Sequence, residues 1–302
     1  MQRFYSNGKL LLTGEYLILD GALGLALPTR PGQDLVVEHG DAGWLTWESF
    51  DRDNNSWFRC TFHLSDLQYR LDLGQQETAG TLQRILQKAR DLNPGFLKGT
   101  DGYSVQTHLG FDRNWGLGSS STLISNIAEW SGIDPYTLLF QSFGGSGYDI
   151  ACARSRVPVL YRLNQGKPEV QPAHFDPTYA DKLYFVFLNR KQISRESIAK
   201  YRSLHIEKSP LDAISHITRS VLECTTLEEF EEQLREHEQL IAGILGLKPI
   251  QDQHFSDYFG QTKSLGAWGG DFLLATGNED TPAYFAGKGF KTVIPFAEMV
   301  LP

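Results

Sequence analysis

Asn114-Trp115-Gly116-Leu117-Gly118-Ser119-Ser120-Ser121-Thr122 decides how this chain is read, because it joins strand-like sequence to a helix-like apolar run. The strand is Tyr103 to His108, alternating in polarity, and the run is Leu123-Ile124-Ser125-Asn126-Ile127-Ala128-Glu129-Trp130. Glycines let backbone approach a ligand closely. A helix N-terminus turns unpaired N–H groups and the positive end of its dipole toward an anion, so the segment reads as a phosphate cradle. The same residues also suit an ordinary helix start, since serine is favoured at N-caps and glycine in turns. The spacing matches neither the Walker-type loop, which requires a lysine, nor the Gly-x-Gly-x-x-Gly dinucleotide fingerprint.

Two more glycine-rich segments follow. Gly144-Gly145-Ser146-Gly147-Tyr148-Asp149-Ile150-Ala151-Cys152-Ala153 sets one carboxylate just past a turn, at the start of a small-residue helix. Asp149 is there either as a helix cap or as a reacting group. Gly266-Ala267-Trp268-Gly269-Gly270-Asp271-Phe272 enters an apolar strand and by itself reads as a tight turn.

Around these segments the pattern is α+β. Lys9 to Thr13 and Tyr16 to Leu19 read as paired strands, with an Asp20-Gly21 turn after them. Short strands are expected at Leu35 to Glu38, Gly43 to Trp47 and Phe58 to Phe62, and a helix at Thr81 to Ala89. The Gly- and Pro-punctuated stretch from Gln165 to Pro177, with a short strand at Glu169-Val170, marks a domain boundary. Beyond it come a strand at Leu183 to Leu188, helices over 209–224 and 227–246, and strands near Phe272 to Ala275 and Phe290 to Ile294.

A chain of 302 residues suits two domains. A net charge of −8 argues against a nucleic-acid partner, which needs a basic face. No segment approaches the run of about 20 apolar residues that spans a bilayer, and the N-terminus lacks a signal-peptide core, so a cytoplasmic protein without a membrane partner is expected. Cys60, Cys152 and Cys224 are widely spaced and form no C-x-x-C pair, which reads as reduced structural thiols.

In this order the segments resemble the GHMP kinase superfamily, named for galacto-, homoserine, mevalonate and phosphomevalonate kinases. Its first motif is similar to Ser6-Asn7-Gly8-Lys9-Leu10-Leu11-Leu12-Thr13-Gly14-Glu15-Tyr16, and its ATP loop to Gly116, Leu117, Gly118, Ser119, Ser120 and Ser121. The catalytic-aspartate segment is similar to Gly145 to Ala153 and the third motif to Gly266 to Gly270, so the resemblance spans most of the chain. It implies a ribosomal-protein-S5-like domain over 1–178, a ferredoxin-like domain over 179–302, ATP and Mg2+ as cofactors, and a small-molecule acceptor meeting ATP in a cleft. It further implies that Asp149 acts on the acceptor hydroxyl as base or electrostatic positioner and that Lys9 keeps Asp149 ionised. Ser120 would ligate Mg2+, and Glu15, Tyr16, Gly147, Gly266, Ala267 and Gly269 would contact substrate. A homodimer is left open.

The chain departs from the family pattern at Asn7, where proline is common, at Ser121-Thr122, where Ala-Ala often follows, and at Trp268, which interrupts the third glycine run. Ser120 and Asp149 are only 29 positions apart, and no residue matches the Mg2+-binding glutamate; Glu129 reads as a solvated helix residue. Gly14-Glu15-Tyr16-Leu17-Ile18-Leu19-Asp20-Gly21 looks like phosphomevalonate kinases, and Gly147-Tyr148-Asp149-Ile150-Ala151 leans the same way. The mevalonate branch is therefore expected. Homoserine or sugar kinases, a diphosphomevalonate decarboxylase-like enzyme and a nucleotide-binding regulatory protein without turnover are the alternatives. Lys191 and Arg195 read as cations for a phosphorylated acceptor or as solvated surface charge.

Overall fold

The computed structural model describes residues 1–190, 198–199, 201–204, 206–266, 268 and 270–302. Two compact units result, and the chain passes between them repeatedly. One comprises Met1–Gly8, Pro31–Arg113 and Gly118–Arg154; the other comprises Lys9–Arg30, Asn114–Leu117 and Ser155–Pro302. The units are thus interleaved in sequence rather than parted at one point between 178 and 179. Strands β1 (Gln2–Thr13) and β2 (Gly24–Gly40) each contribute to both.

In the first unit β3 (Trp44–Phe50), β4 (Ser56–His63) and β5 (Tyr69–Leu73) form an antiparallel meander. Helix α1 (Gln76–Leu92) then carries the chain to β6 (Gly102–Leu109), which lies parallel to β3 and antiparallel to the 33–40 half of β2. Alternation decides the buried face. Leu45 and Trp47, then Phe58, Cys60 and Phe62, point inward, where they meet Leu82, Ile85 and Leu86 of α1 and Ile124 and Ile127 of α2 (Ser119–Ser131). Leu138 and Leu139 of α3 (Pro135–Ser142) and Ile150 of α4 (Tyr148–Arg154) close the same core.

In the second unit β7 (Val159–Asn164) pairs with residues 24–26 of β2 and with β8 (Lys167–Pro172). A separate antiparallel sheet runs β10 (Thr262–Ser264), β11 (Phe272–Thr276), β9 (Leu183–Phe187), β12 (Val293–Pro295). Its core holds Val186, Leu273 and Ala275 against Phe255, Tyr258 and Phe285. Helices α5 (Lys208–Glu223) and α6 (Leu227–Leu245) pack on each other, and α6 also packs on β10. The short helices α7 (Ile250–His254), α8 (Thr281–Gly287) and α9 (Phe296–Met299) complete this unit.

One expected element is wrong. Leu17–Asp20 forms a 3-10 turn, not a strand, because Gly14 at φ 94° and Tyr16 at φ 61° reverse the chain before a ladder forms. Its apolar residues Leu17 and Ile18 are buried as expected of a strand, which is why pattern alone misleads.

Candidate functional site

The glycine loop leaves the second unit at Leu117 and enters the first at Gly118. Gly116 (φ 65°) and Gly118 (φ 89°) are both left-handed, a conformation glycine adopts without steric cost. Gly118 is the N-cap of α2 and no side chain caps this helix, so serine is not used in the way an ordinary helix start uses it. Ser119 and Ser120 occupy the first turn, half-buried and exposed respectively, whereas Ser121 is buried with its hydroxyl donating to the Gly118 carbonyl at 2.8 Å. Ser121 is therefore committed to the loop's own backbone.

Buried polar side chains hold α2 in place. The Thr122 hydroxyl donates to Gln33 Oε1 at 2.6 Å, Asn126 Nδ2 donates to the Gln33 carbonyl at 3.0 Å, and Ser6 donates to Asn126 Oδ1 at 2.8 Å. On the other side of the unit boundary the Lys9 N–H donates to the Leu117 carbonyl at 3.0 Å, which brings the first motif against the loop backbone.

Asp149 lies in the first turn of α4, half-buried, after Gly144, Gly145 and Gly147, all with positive φ. The Gly147 carbonyl starts the helix by accepting from Ile150 and Ala151. Helix α4 packs on α2, and Arg154 pairs with Glu129 at 2.9 Å. Glu129 is thus an exposed helix residue, as expected, with a surface ion-pair partner.

Glu15 requires a correction. Its side chain has no exposed surface, so the acceptor contact expected of it is not available. The carboxylate instead takes the Lys263 ammonium on Oε1 and faces His237 Nε2 at 3.0 Å from Oε2. The Gly14 N–H also donates to His237 Nε2 at 3.0 Å. Burial pushes Glu15 up, but the Lys263 ammonium outweighs it and holds the carboxyl below the usual carboxylate range. Burial and Lys263 hold His237 down, so the ring is neutral and Nε2 serves Gly14 as acceptor. Beside it Glu238 accepts from the Ile250 and Ser264 N–H groups and the Ser264 hydroxyl, and burial pushes it up to about 7. Sequence reasoning singled out none of Lys263, His237 and Glu238; long-range partners leave no local signal.

Tyr16 is buried, and its hydroxyl accepts from the Trp268 N–H at 3.2 Å, tying the first motif to the third. Gly266 takes φ 63° at the turn. Gly147 is buried, while Ala267, Gly269, Lys191 and Arg195 lie outside the described residues. Asp271, also missed from sequence, is nearly buried at φ 54°. Its carboxylate sits where a Cβ on Gly116 would be, 2.4 to 2.7 Å from that position.

No family profile and no curated protein sequence matches the chain. Solved structures do. A mevalonate kinase from Methanococcus jannaschii superposes with TM-score 0.68 at 14% identity, covering 95% of this chain and 94% of that one. A phosphomevalonate kinase from Streptococcus pneumoniae, in complex with phosphomevalonate and AMPPNP, gives TM-score 0.68 at 17% identity over 100% and 98%. The galactokinase of Lactococcus lactis, complexed with galactose, gives 0.65 at 12% over 94% and 87%. The chain has the GHMP kinase fold. Within that fold the glycine loop opens α2, as the resemblance implied, and the α+β reading holds over nearly the whole chain. No helix among the described residues is long and apolar enough to cross a membrane.

Proposed function

We propose that the protein is an ATP-dependent kinase of a small-molecule alcohol or phosphate, in the mevalonate branch of the GHMP kinases. The observation that carries this reading is the N-terminus of α2, without a side-chain cap, behind two left-handed glycines, with Ser119 half-buried and Ser120 exposed in its first turn. Unpaired first-turn amides suit phosphate oxygens, and hydroxyl oxygens suit Mg2+, so the donor set fits Mg-ATP. The backbone of Gly116 to Ser120 would hold the phosphates and Ser120 the metal. Bound Mg2+ supplies neutralisation of phosphate charge.

Phosphoryl transfer needs mainly positioning and charge stabilisation, so a small residue set is sufficient. Asp149 receives the proton of the acceptor hydroxyl or orients it, and Lys9 keeps Asp149 ionised. Gly147, Tyr16 and Gly266 contact the acceptor in this reading. Glu15 does not, since Lys263 and His237 occupy its carboxylate. The neighbours solved with phosphomevalonate and with R-mevalonate support the choice of branch.

A panel of mevalonate, phosphomevalonate, homoserine and galactose, assayed for ADP release with Mg-ATP, tests the proposal. ADP release with one of the first two is expected. Carbon dioxide and inorganic phosphate released together with ADP would indicate a decarboxylase. ATP binding without ADP formation on any acceptor would indicate a regulatory protein. Ser120→Ala should raise the Mg-ATP constant yet cost at most about 1 kcal/mol of stability, as exposed helix-start hydroxyls do. Unchanged kinetics would remove Ser120 from the metal site.

A further inference from the structure

We propose that the cavity between the C-terminus of α1 and the start of β6 binds a small organic phosphate, a dianionic head on a compact apolar body, at a site separate from the glycine loop. The inference does not depend on the kinase reading.

A cavity of about 800 Å³ lies wholly within the first unit. Its walls come from the turn before β3, the end of β4 and the 90–100 segment that leads from α1 into β6. Leu64, Pro94 and Leu97 supply apolar lining, and His63, Ser65, Arg90, Lys98 and Thr100 supply polar groups. Apolar surface with a few polar groups is what small-molecule sites present. Asn93 Nδ2 donates to the Ser131 carbonyl at 2.7 Å and the Phe96 ring meets Trp130 edge-on, so the wall is fastened to the last turn of α2. That 13-residue helix spans roughly 20 Å, which puts the cavity at the opposite end from Ser119 and Ser120.

Charge selects the ligand. Arg90, half-buried, donates from Nη2 to the Leu64 and Leu97 carbonyls at 2.8 and 3.3 Å and from Nη1 to the Ser65 carbonyl at 3.5 Å. Among the described residues no carboxylate pairs with it, and its Nε is buried without an acceptor. The guanidinium braces both walls through carbonyl dipoles and keeps a positive charge that no acid matches. Burial pulls it below its ordinary range, against Asp66 and Asp91. Lys98, exposed in the lining, has no ion-pair partner among the described residues either. Asp91 is the one acid among the lining residues, and Lys88 at 3.6 Å and Gln87 Nε2 at 3.1 Å take its carboxylate. Asp66 lies outside the lining, accepting from the Gln68 N–H at 3.0 Å and facing His63 Nδ1 at 4.0 Å. Two unmatched cations, with the hydroxyls of Ser65 and Thr100 beside them, suit a phosphate dianion better than a singly charged carboxylate.

Backbone strain marks the same wall. Leu97 is buried at φ 53°, in the left-handed region that a branched side chain avoids, and its carbonyl is one of those Arg90 holds. Such strain persists only where the surroundings impose it, and the geometry it secures here is that of the cavity.

The test is an amide-resolved NMR titration of the full chain with phenyl phosphate, phenol and inorganic phosphate, each with and without excess β,γ-imido analogue of ATP to fill the glycine loop. Saturable shifts at the amides of Gly43, Ser65, Gly99 and Thr100, unaffected by the analogue, are expected. Phenyl phosphate should bind at least about tenfold more tightly than either phenol or inorganic phosphate. Lys98→Ala, which removes no described contact, should weaken it at least about tenfold, and Thr100→Glu, which sets a negative charge in the wall, should abolish it. Either variant suffices if the other fails to fold. Phenol or inorganic phosphate binding as tightly as phenyl phosphate, or full affinity retained in the variants, would overturn the proposal. Shifts absent from the cavity and confined to residues 118–122 would overturn it equally while leaving the kinase reading intact.

Discussion

Asp149 is the residue at which the kinase and helix-start readings part. Asparagine keeps the shape of a first-turn side chain, so a purely structural Asp149 predicts little change for Asp149→Asn. The kinase reading predicts a folded protein with near-normal ATP affinity whose turnover falls at least about a hundredfold, since general-base help is typically worth 10² to 10⁴. Lys9→Met should show a related defect, and the double variant should fall by less than the product of the two. Steady-state kinetics on an acceptor that the unmodified protein phosphorylates decide it. Gly14 makes a structural prediction of the same kind. It sits at φ 94°, and a Cβ there would meet Gly24 Cα at 2.8 Å, backbone against backbone. Gly14→Ala should cost at least about 2 kcal/mol, seen as a lower urea midpoint with an unchanged slope. Motif spacing points to both residues. It also points to Glu15, but as a substrate contact, and only the placement of Lys263 and His237 around it assigns it an interior role.

At the scale of the element, α6 carries a proton balance. His237 is held below its ordinary 6.5, so as pH falls below that value the unfolded chain takes up a proton the fold refuses, and stability drops. Glu238 is raised from 4.5 to about 7, so between those values the fold holds a proton the unfolded chain has lost, and stability rises on acidification. The two slopes oppose each other between about pH 5 and 6.5. Relative to the unmodified protein, His237→Gln should therefore gain stability as pH falls through this window. Glu238→Gln should lose it, each by up to about 1.4 kcal/mol per pH unit. Urea unfolding at three pH values checks this; variants that leave the pH slope unchanged would show that neither group titrates as argued. Glu15, held low, adds stability that disappears only as pH falls below its ordinary 4.5. The helix itself was legible. Its apolar period and the Thr226–Glu229 capping box are local, whereas the partners of two adjacent side chains on its buried face are not.

At the scale of the molecule, the two compact units are not two contiguous halves. Residues 9–30 and 155–178 group with the C-terminal portion, and Glu15 comes from the first of these segments. An isolated 179–302 fragment would bury Lys263 without its carboxylate. Losing one partner of a buried pair costs about 3–5 kcal/mol, a large share of a domain's stability. The fragment should fail to fold by itself, with poorly dispersed amide resonances and no cooperative melt. A sharp, cooperative unfolding transition in the fragment would refute this. The fold is shared with kinases at 12 to 17% identity, which is what a layered architecture permits when burial pattern and glycine placement persist and most side chains change.

The sequence by itself determined what local rules govern. Alternation set the strands of the first sheet, the 3.6-residue period set α1, α2, α5 and α6, and glycine clusters marked the turns at Gly116–Gly118, Gly144–Gly147 and Gly266. Tertiary structure alone decided the 3-10 turn at Leu17–Asp20, the interior fate of Glu15 and Ser121, and the meeting of Asp271 with Gly116. The physical reason is range. Propensity and periodicity act over a few residues, whereas the partner of a buried charge or the neighbour of a glycine comes from wherever packing brings it. Between Glu15 and Lys263 that distance is 248 residues along the chain, and no local pattern spans it.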